Sequence, residues 1–147
     1  MLYLITSDQD QYFARLKEDP VRPAIDHTKR IGNNRDIFVL KNDQDNDPEA
    51  ITCVSYQDSV PTAENELFDD KKEPDVAVFY TIWSYRPGAG RDLILNAVNY
   101  IKNNKPSIAR FVTLSPPTEM ARRFHLKNGA QVFRENAETV NYEYTRA

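Results

Sequence analysis

The chain has 147 residues, 40% hydrophobic and 28% charged, and only four are glycine, where ordinary usage of about 7% would supply roughly ten. That length suits one domain, residues 1–147, with a proper core, and the apolar and aromatic content excludes a disordered chain. One cysteine, Cys53, and two histidines, His27 and His125, exclude an internal disulfide and argue against thiolate-cluster or zinc chemistry.

No apolar run approaches the ~20 residues of a membrane span, and Leu2 to Ile5 is too short to be a signal peptide. The chain is therefore read as soluble and cytoplasmic, without a membrane partner. A net charge of −3 argues against nucleic acid as a partner, but it hides an asymmetry. Residues 1–75 carry 17 acids against 9 bases, and residues 76–147 carry 5 against 10. Gly88, Gly90 and Gly129 lie in that basic half, which points to an anionic ligand there.

In chain order, Met1 to Thr6 reads as an opening strand ended by Ser7 and Asp8, good helix N-cap residues. Tyr12, Phe13 and Leu16 recur at helical spacing until Pro20 and Pro23 interrupt them, and a second helical piece is expected over Ile25 to Ile31. A turn at Gly32-Asn33-Asn34 leads into a strand over Asp36 to Lys41, a polar turn over Asn42 to Pro48, and a hairpin partner over Ala50 to Tyr56. Gln57 to Asp75 reads as a long acidic connection containing one helical turn.

Val76 to Trp83 is the strongest strand, apolar on both faces, and belongs in the middle of a sheet. Leu93, Ile94, Ala97, Val98 and Ile101 then repeat at helical spacing, before a basic stop at Lys102 to Pro106 and a second buried strand over Ile108 to Leu114. Strand, helix, strand in this order implies a right-handed crossover between parallel neighbours. Ser115 or Thr118 caps a last helix with Met120, Ala121, Phe124 and Leu126 facing inward and Gly129 at C′. Gln131 to Arg134 and Thr139 to Tyr144 close as a hairpin. The expected fold class is α/β: a mixed, mostly antiparallel central sheet of about seven strands with helices on both faces.

The stretch Ser84-Tyr85-Arg86-Pro87-Gly88-Ala89-Gly90-Arg91 lies between the central strand and a helix. A helix N-terminus presents unpaired N–H groups and partial positive charge, and glycines let a phosphate approach them. Arg86 and Arg91 flank the turn and can add charge-assisted hydrogen bonds. A P-loop would need Gly-Lys-Ser/Thr, but Gly90 is followed by Arg91-Asp92; a dinucleotide fingerprint would need glycine at Leu93. A plain tight turn is the competing reading.

Element order over essentially the whole chain, and motifs from about Val76 to Tyr144, resemble the GNAT superfamily of N-acetyltransferases. The family's loop Gln/Arg-x-x-Gly-x-Gly/Ala is matched at both glycines by Tyr85-x-x-Gly88-x-Gly90. Its last helix, Ala-x-x-Phe-Tyr-x-Lys-x-Gly-Phe, is matched by Ala121, Phe124, Lys127 and Gly129. Tyr85 replaces the usual Gln or Arg, with Arg86 one place late; His125 replaces the tyrosine, and Ala130 the final aromatic.

The resemblance implies acetyl-CoA as co-substrate. The amides of Gly88, Ala89, Gly90 and Arg91 would cradle its pyrophosphate, Trp83 and Ser84 would lie near the thioester, and Phe124 would pack against the pantetheine. It also implies direct attack of a primary amine, from a small molecule or peptide, in a ternary complex. His125 would be the general acid that protonates the departing thiolate, because imidazole titrates near neutrality. No base is assigned: Asp58, Glu64, Glu66 and Asp75 are near in sequence only, and a surface role suits each. Cys53 reads as a small core residue rather than a nucleophile. A homodimer is left open. The alternative function is a catalytically inactive GNAT-fold binding or interaction module that still takes CoA.

Overall fold

The computed structural model describes residues 1–144. Seven strands form one sheet: β1 (Leu2–Ile5), β2 (Arg35–Lys41), β3 (Pro48–Gln57), β4 (Val76–Ser84), β5 (Arg110–Thr113), β6 (Ala130–Glu135) and β7 (Val140–Tyr144). Their order is β1-β2-β3-β4-β5-β7-β6, and β4 with β5 is the one parallel pair among them. Helix α1 (Ala89–Asn104) makes the crossover between those two, and α2 (Glu119–Lys127) joins β5 to β6. The α/β class, the strand count and the parallel crossover are as expected.

The sheet separates two apolar layers. On one face Leu93, Ile94, Ala97 and Ile101 of α1 pack with Phe38, Val54, Ala77, Phe79 and Phe111, the apolar stripe that helical periodicity demands. On the other, Leu16, Ile25 and Leu67 cover Ile37, Val39, Ile51, Cys53, Val78 and Tyr80.

The elements on that second face differ from the expected helices. Phe13–Glu18 and His27–Arg30 are 3-10 helices. Pro20 has no N–H to extend the first, and Asp19 ends it by accepting the N–H groups of Val21 and Arg22 on Oδ1, at 2.7 and 3.1 Å. The long connection contains one short 3-10 turn, Glu64–Glu66.

Two irregularities set the course of β4. Opposite β3, Val54 pairs with Phe79 but Cys53 pairs with Thr81, so Tyr80 is a bulge. One extra residue reverses the alternation of faces, so Phe79 and Ile82 share the α1 face while Tyr80 and Trp83 lie on the other. Opposite β5, pairing runs only from Val76 with Arg110 to Phe79 with Thr113. Ser115 is then drawn to Val140 by two backbone bonds of 2.9 Å, which carries the chain toward β7 while β4 continues to Ser84 paired with β3 alone. Among the described residues no helix is long and apolar enough to cross a membrane.

Candidate functional site

The separation of β4 from β5 opens a cleft of about 350 Å³, lined by Phe79 to Ser84 of β4, by Gly90 of α1 and by Ala121, Phe124 and His125 of α2. Pro20 and Val21 close it from the opposite face of the sheet. Tyr85 N–H donates to the Glu49 carbonyl at 2.8 Å, so in the antiparallel ladder the peptide groups of Trp83 face β3 while those of Ile82 and Ser84 face the space that β5 has left. An extended ligand can therefore pair with β4 there as another strand would.

At the outer end of the cleft stands the N-terminus of α1. Gly88 takes the N-cap position with φ of 82°, a left-handed conformation that favours glycine. Ala89 N–H is used by the Arg86 carbonyl and Asp92 N–H by the Gly88 carbonyl; within the described residues no acceptor meets the N–H groups of Gly90 and Arg91. Gly90 is glycine for a steric reason: a Cβ there would lie 3.0 Å from Cε1 of Phe124.

The two arginines of the turn differ. Arg86 donates from Nε and Nη2 to both oxygens of Glu49, at 2.8 and 3.0 Å, and lies 3.5 Å from Asp92. Its charge is thus already matched by carboxylates. Arg91 is exposed and makes no ion pair among the described residues.

Helix α2 is rotated relative to the expected register. Met120 is 82% and Leu126 38% exposed, contrary to their expected inward placement, and His125 is the residue buried instead. The imidazole is stacked on the Tyr142 ring, with centroids 5.0 Å apart, and its Nδ1 lies 2.7 Å from the Tyr144 hydroxyl. These contacts turn the His125 side of the helix onto β7. Burial lowers the His125 pKa to about 4, so the imidazole is neutral at pH 7. The premise of a histidine titrating near neutrality therefore fails for this site: desolvation, with no carboxylate beside the ring, disfavours the imidazolium. The caps at either end of α2 are as expected, with Thr118 Oγ1 accepting from Ala121 N–H and Gly129 at φ 101°.

Beneath the bulge lies a polar network that sequence reasoning missed. Asp19 Oδ2 accepts from Arg30 Nη1 at 2.8 Å, both side chains being fully buried, and its Oδ1 accepts from Thr81 Oγ1 at 2.7 Å. Arg30 also donates to the Arg22 carbonyl at 2.7 Å and to Sγ of Cys53 at 3.4 Å. Arg22 in turn stands where the strands part: Nε donates to the Tyr80 carbonyl and Nη2 to the Leu114 carbonyl, each at 2.8 Å, while Nη1 meets Glu64 at 2.9 Å. The signal available in the sequence is Asp19-Pro20, an Asx-turn signature, but nothing local says that its carboxylate is buried.

None of the four carboxylates considered as bases lines the cleft. Glu64 pairs with Arg22; Glu66 caps the N–H groups of Thr62 and Ala63; Asp58 lies 4.0 Å from Lys71; Asp75 accepts backbone N–H groups of Ala109 and Arg110 through its carbonyl. Cys53 is in the core, and burial pushes its thiol up to about 11, which leaves no thiolate at pH 7. Among the described residues no group of His, Cys, Asp or Glu could hold a metal ion.

No family sequence model matches the chain, and no curated protein sequence matches it significantly. Solved structures do. Malonyl-CoA decarboxylase from Agrobacterium vitis superposes with a TM-score of 0.80 at 18% identity over 99% of this chain and 60% of that one, so the chain spans about three fifths of that protein. AAC(6')-Ib in complex with ribostamycin and coenzyme A gives 0.67 at 13% identity, covering 99% and 93%. The GNAT domain of S. lividans PAT gives 0.66 at 13%, covering 97% and 88%. The chain therefore has the GNAT, or acyl-CoA N-acyltransferase, fold.

Proposed function

We propose that the chain is an acyl-CoA-dependent N-acyltransferase that moves an acetyl group from acetyl-CoA to a primary amine by direct attack in a ternary complex. The observation that carries this reading is the parting of β4 and β5 into a cleft that ends on unpaired N–H groups at the start of α1. It suits a ligand with an extended arm and a phosphate end. The likeness to AAC(6')-Ib in complex with ribostamycin and coenzyme A supports both the co-substrate and a small-molecule acceptor.

In this reading the Gly90 and Arg91 N–H groups receive the pyrophosphate on the left-handed turn at Gly88 and Ala89. Arg91 supplies the free cation, and Arg86 holds the turn through Glu49. The Ile82 and Ser84 peptides pair with the pantetheine, Phe124 packs against it, and Trp83 borders the reacting end. Ile82 N–H, the first past the bulge to face the cleft, donates to the thioester oxygen as negative charge develops there. The amine attacks as its free base after water takes its ammonium proton. Collapse of the tetrahedral adduct breaks the C–S bond, and the second nitrogen proton ends on sulfur. His125, neutral and backed by Tyr144, serves that step as a hydrogen-bond donor to the thiolate rather than as an imidazolium acid.

Isothermal titration with acetyl-CoA tests the reading: saturable binding that weakens when Gly88 and Gly90 carry bulky side chains is expected, and absence of binding removes it. A second reading, a CoA-binding module without turnover, is favoured by the lack of any carboxylate in the cleft lining. Turnover of an amine panel, with malonyl-CoA decarboxylation assayed alongside, separates the two.

A further inference from the structure

At the rim of the cleft, on the face opposite α1, Trp83, Tyr85 and Glu18 form a continuous corner. Trp83 lines the cleft and donates from Nε1 to the Tyr85 hydroxyl at 2.9 Å, and that hydroxyl donates to Glu18 Oε1 at 2.5 Å. Tyr85 is 40% exposed, an aromatic ring at the surface beside a carboxylate. Each member is held from behind: Trp83 by β4, Tyr85 by its N–H to Glu49, and Glu18 by the buried Asp19 next to it in the chain.

A cation already sits in this corner. The Arg15 guanidinium carbon lies 5.7 Å from the Tyr85 ring centroid, and Nη1 lies 3.4 Å from Glu18 Oε1. Aromatic face plus carboxylate is the combination that receives an ammonium or guanidinium group. Arg15 is the loosely attached member, exposed and reaching only three residues along its own 3-10 helix.

We infer that the acceptor is a dicationic amine, a diamine or polyamine, whose second ammonium takes the place of Arg15 between Tyr85 and Glu18 while its other nitrogen reaches the cleft past Trp83. The inference rests on the N-acyltransferase reading, in which the cleft and the corner suit two nitrogens of different charge. The attacking nitrogen must be neutral, in a cleft whose lining carries no carboxylate, whereas the corner is built for a positive charge. One amine cannot satisfy both, and two joined by an aliphatic spacer can.

Trp83 is the chain's only tryptophan, so its fluorescence reports on the corner without any need for turnover. Titrations of the whole chain with 1,4-diaminobutane and with n-butylamine are compared for wild type, Glu18→Gln, Arg15→Ala and, as a charge control, Glu73→Gln at an exposed carboxylate elsewhere. The diamine is expected to saturate the signal at about tenfold lower concentration than the monoamine. Glu18→Gln removes that difference, Arg15→Ala enlarges it, and Glu73→Gln leaves it in place. Equal response to both amines overturns the inference, as does an equal effect of Glu18→Gln and Glu73→Gln. Acetyl-CoA binding, measured by calorimetry on the same preparations, separates the two levels: binding without a diamine preference overturns this inference alone, and no binding overturns the N-acyltransferase reading.

Discussion

The ring of Phe124 lies over Gly90 so closely that a Cβ at residue 90 would come within 3.0 Å of Cε1 and 3.1 Å of Cζ. This contact ties α2 to the first turn of α1 across the mouth of the cleft. Gly90→Ala is expected to cost about 1–3 kcal/mol, as overpacking does, and to weaken acetyl-CoA binding by moving the ring. In a Phe124→Ala background the same change costs less, and a double-mutant cycle by urea unfolding measures the difference. Gly88→Ala costs about 1 kcal/mol through backbone strain at positive φ and shows no coupling to Phe124.

The buried pair Asp19–Arg30 predicts a different pattern. Neither side chain reaches solvent, and Nε of Arg30 has no partner among the described residues. Removing one charge strands the other, so Asp19→Ala or Arg30→Met alone is expected to destabilise by about 3–5 kcal/mol. Asp19→Ala combined with Arg30→Met costs less than either alone predicts, because no charge is left in the core. Urea midpoints of the three variants decide the matter.

His125 predicts how stability depends on pH. Its folded pKa is held at about 4 against 6.5 for an ordinary imidazole, so between those values the unfolded chain binds the extra proton. Stability is therefore full above about 6.5, falls as pH drops toward 4, and has lost on the order of 3 kcal/mol below that. His27 is also lowered, by burial and then by Arg30, and contributes with the same sign as pH falls below the ordinary imidazole value. Urea unfolding across that range should show a flatter profile for His125→Phe, and a flatter one still when His27→Asn is added. An unchanged profile in His125→Phe would mean that the imidazole takes up its proton equally in the folded and the unfolded chain.

Much of the molecule is legible in its sequence, and the features that are not share one cause. Strand β4, helix α1, the turn at Gly88 and the cap at Gly129 declare themselves because periodicity and glycine placement are local signals. The rotation of α2 does not: Met120 and Leu126 are apolar and His125 is polar, yet Tyr142 and Tyr144, distant in sequence, bury the histidine. Arg22, Arg30 and Asp19 look like surface charges in an acidic half, and only the meeting of β4 with the Asp19–Pro23 segment gives them partners. The pairing of Arg86 with Glu49 is likewise invisible, since it depends on β3 lying beside β4.

Arg22 leads to the last prediction. Where β4 and β5 part, the next rung of a parallel ladder is missing, and the carbonyls of Tyr80 and Leu114 would be left without donors. The Arg22 guanidinium meets both at 2.8 Å and so bridges the two strands at the apex of the cleft. A lysine cannot reproduce this, because one ammonium replaces a planar fork with donors on separate nitrogens. Arg22→Met leaves two carbonyls near the core unpaired, at a cost of about 1–3 kcal/mol for each that stays dry. The cleft then relaxes, either by closing toward a further β4–β5 rung or by admitting water. Either outcome predicts weaker acetyl-CoA binding in Arg22→Met and Arg22→Lys than their losses of stability would explain. Glu64→Gln, which removes only the exposed contact to Nη1, should leave both stability and binding close to wild type. Calorimetric affinity plotted against the urea midpoint for the three variants tests this: Arg22 variants that lose stability but bind acetyl-CoA normally would show that the bridge does not shape the cleft.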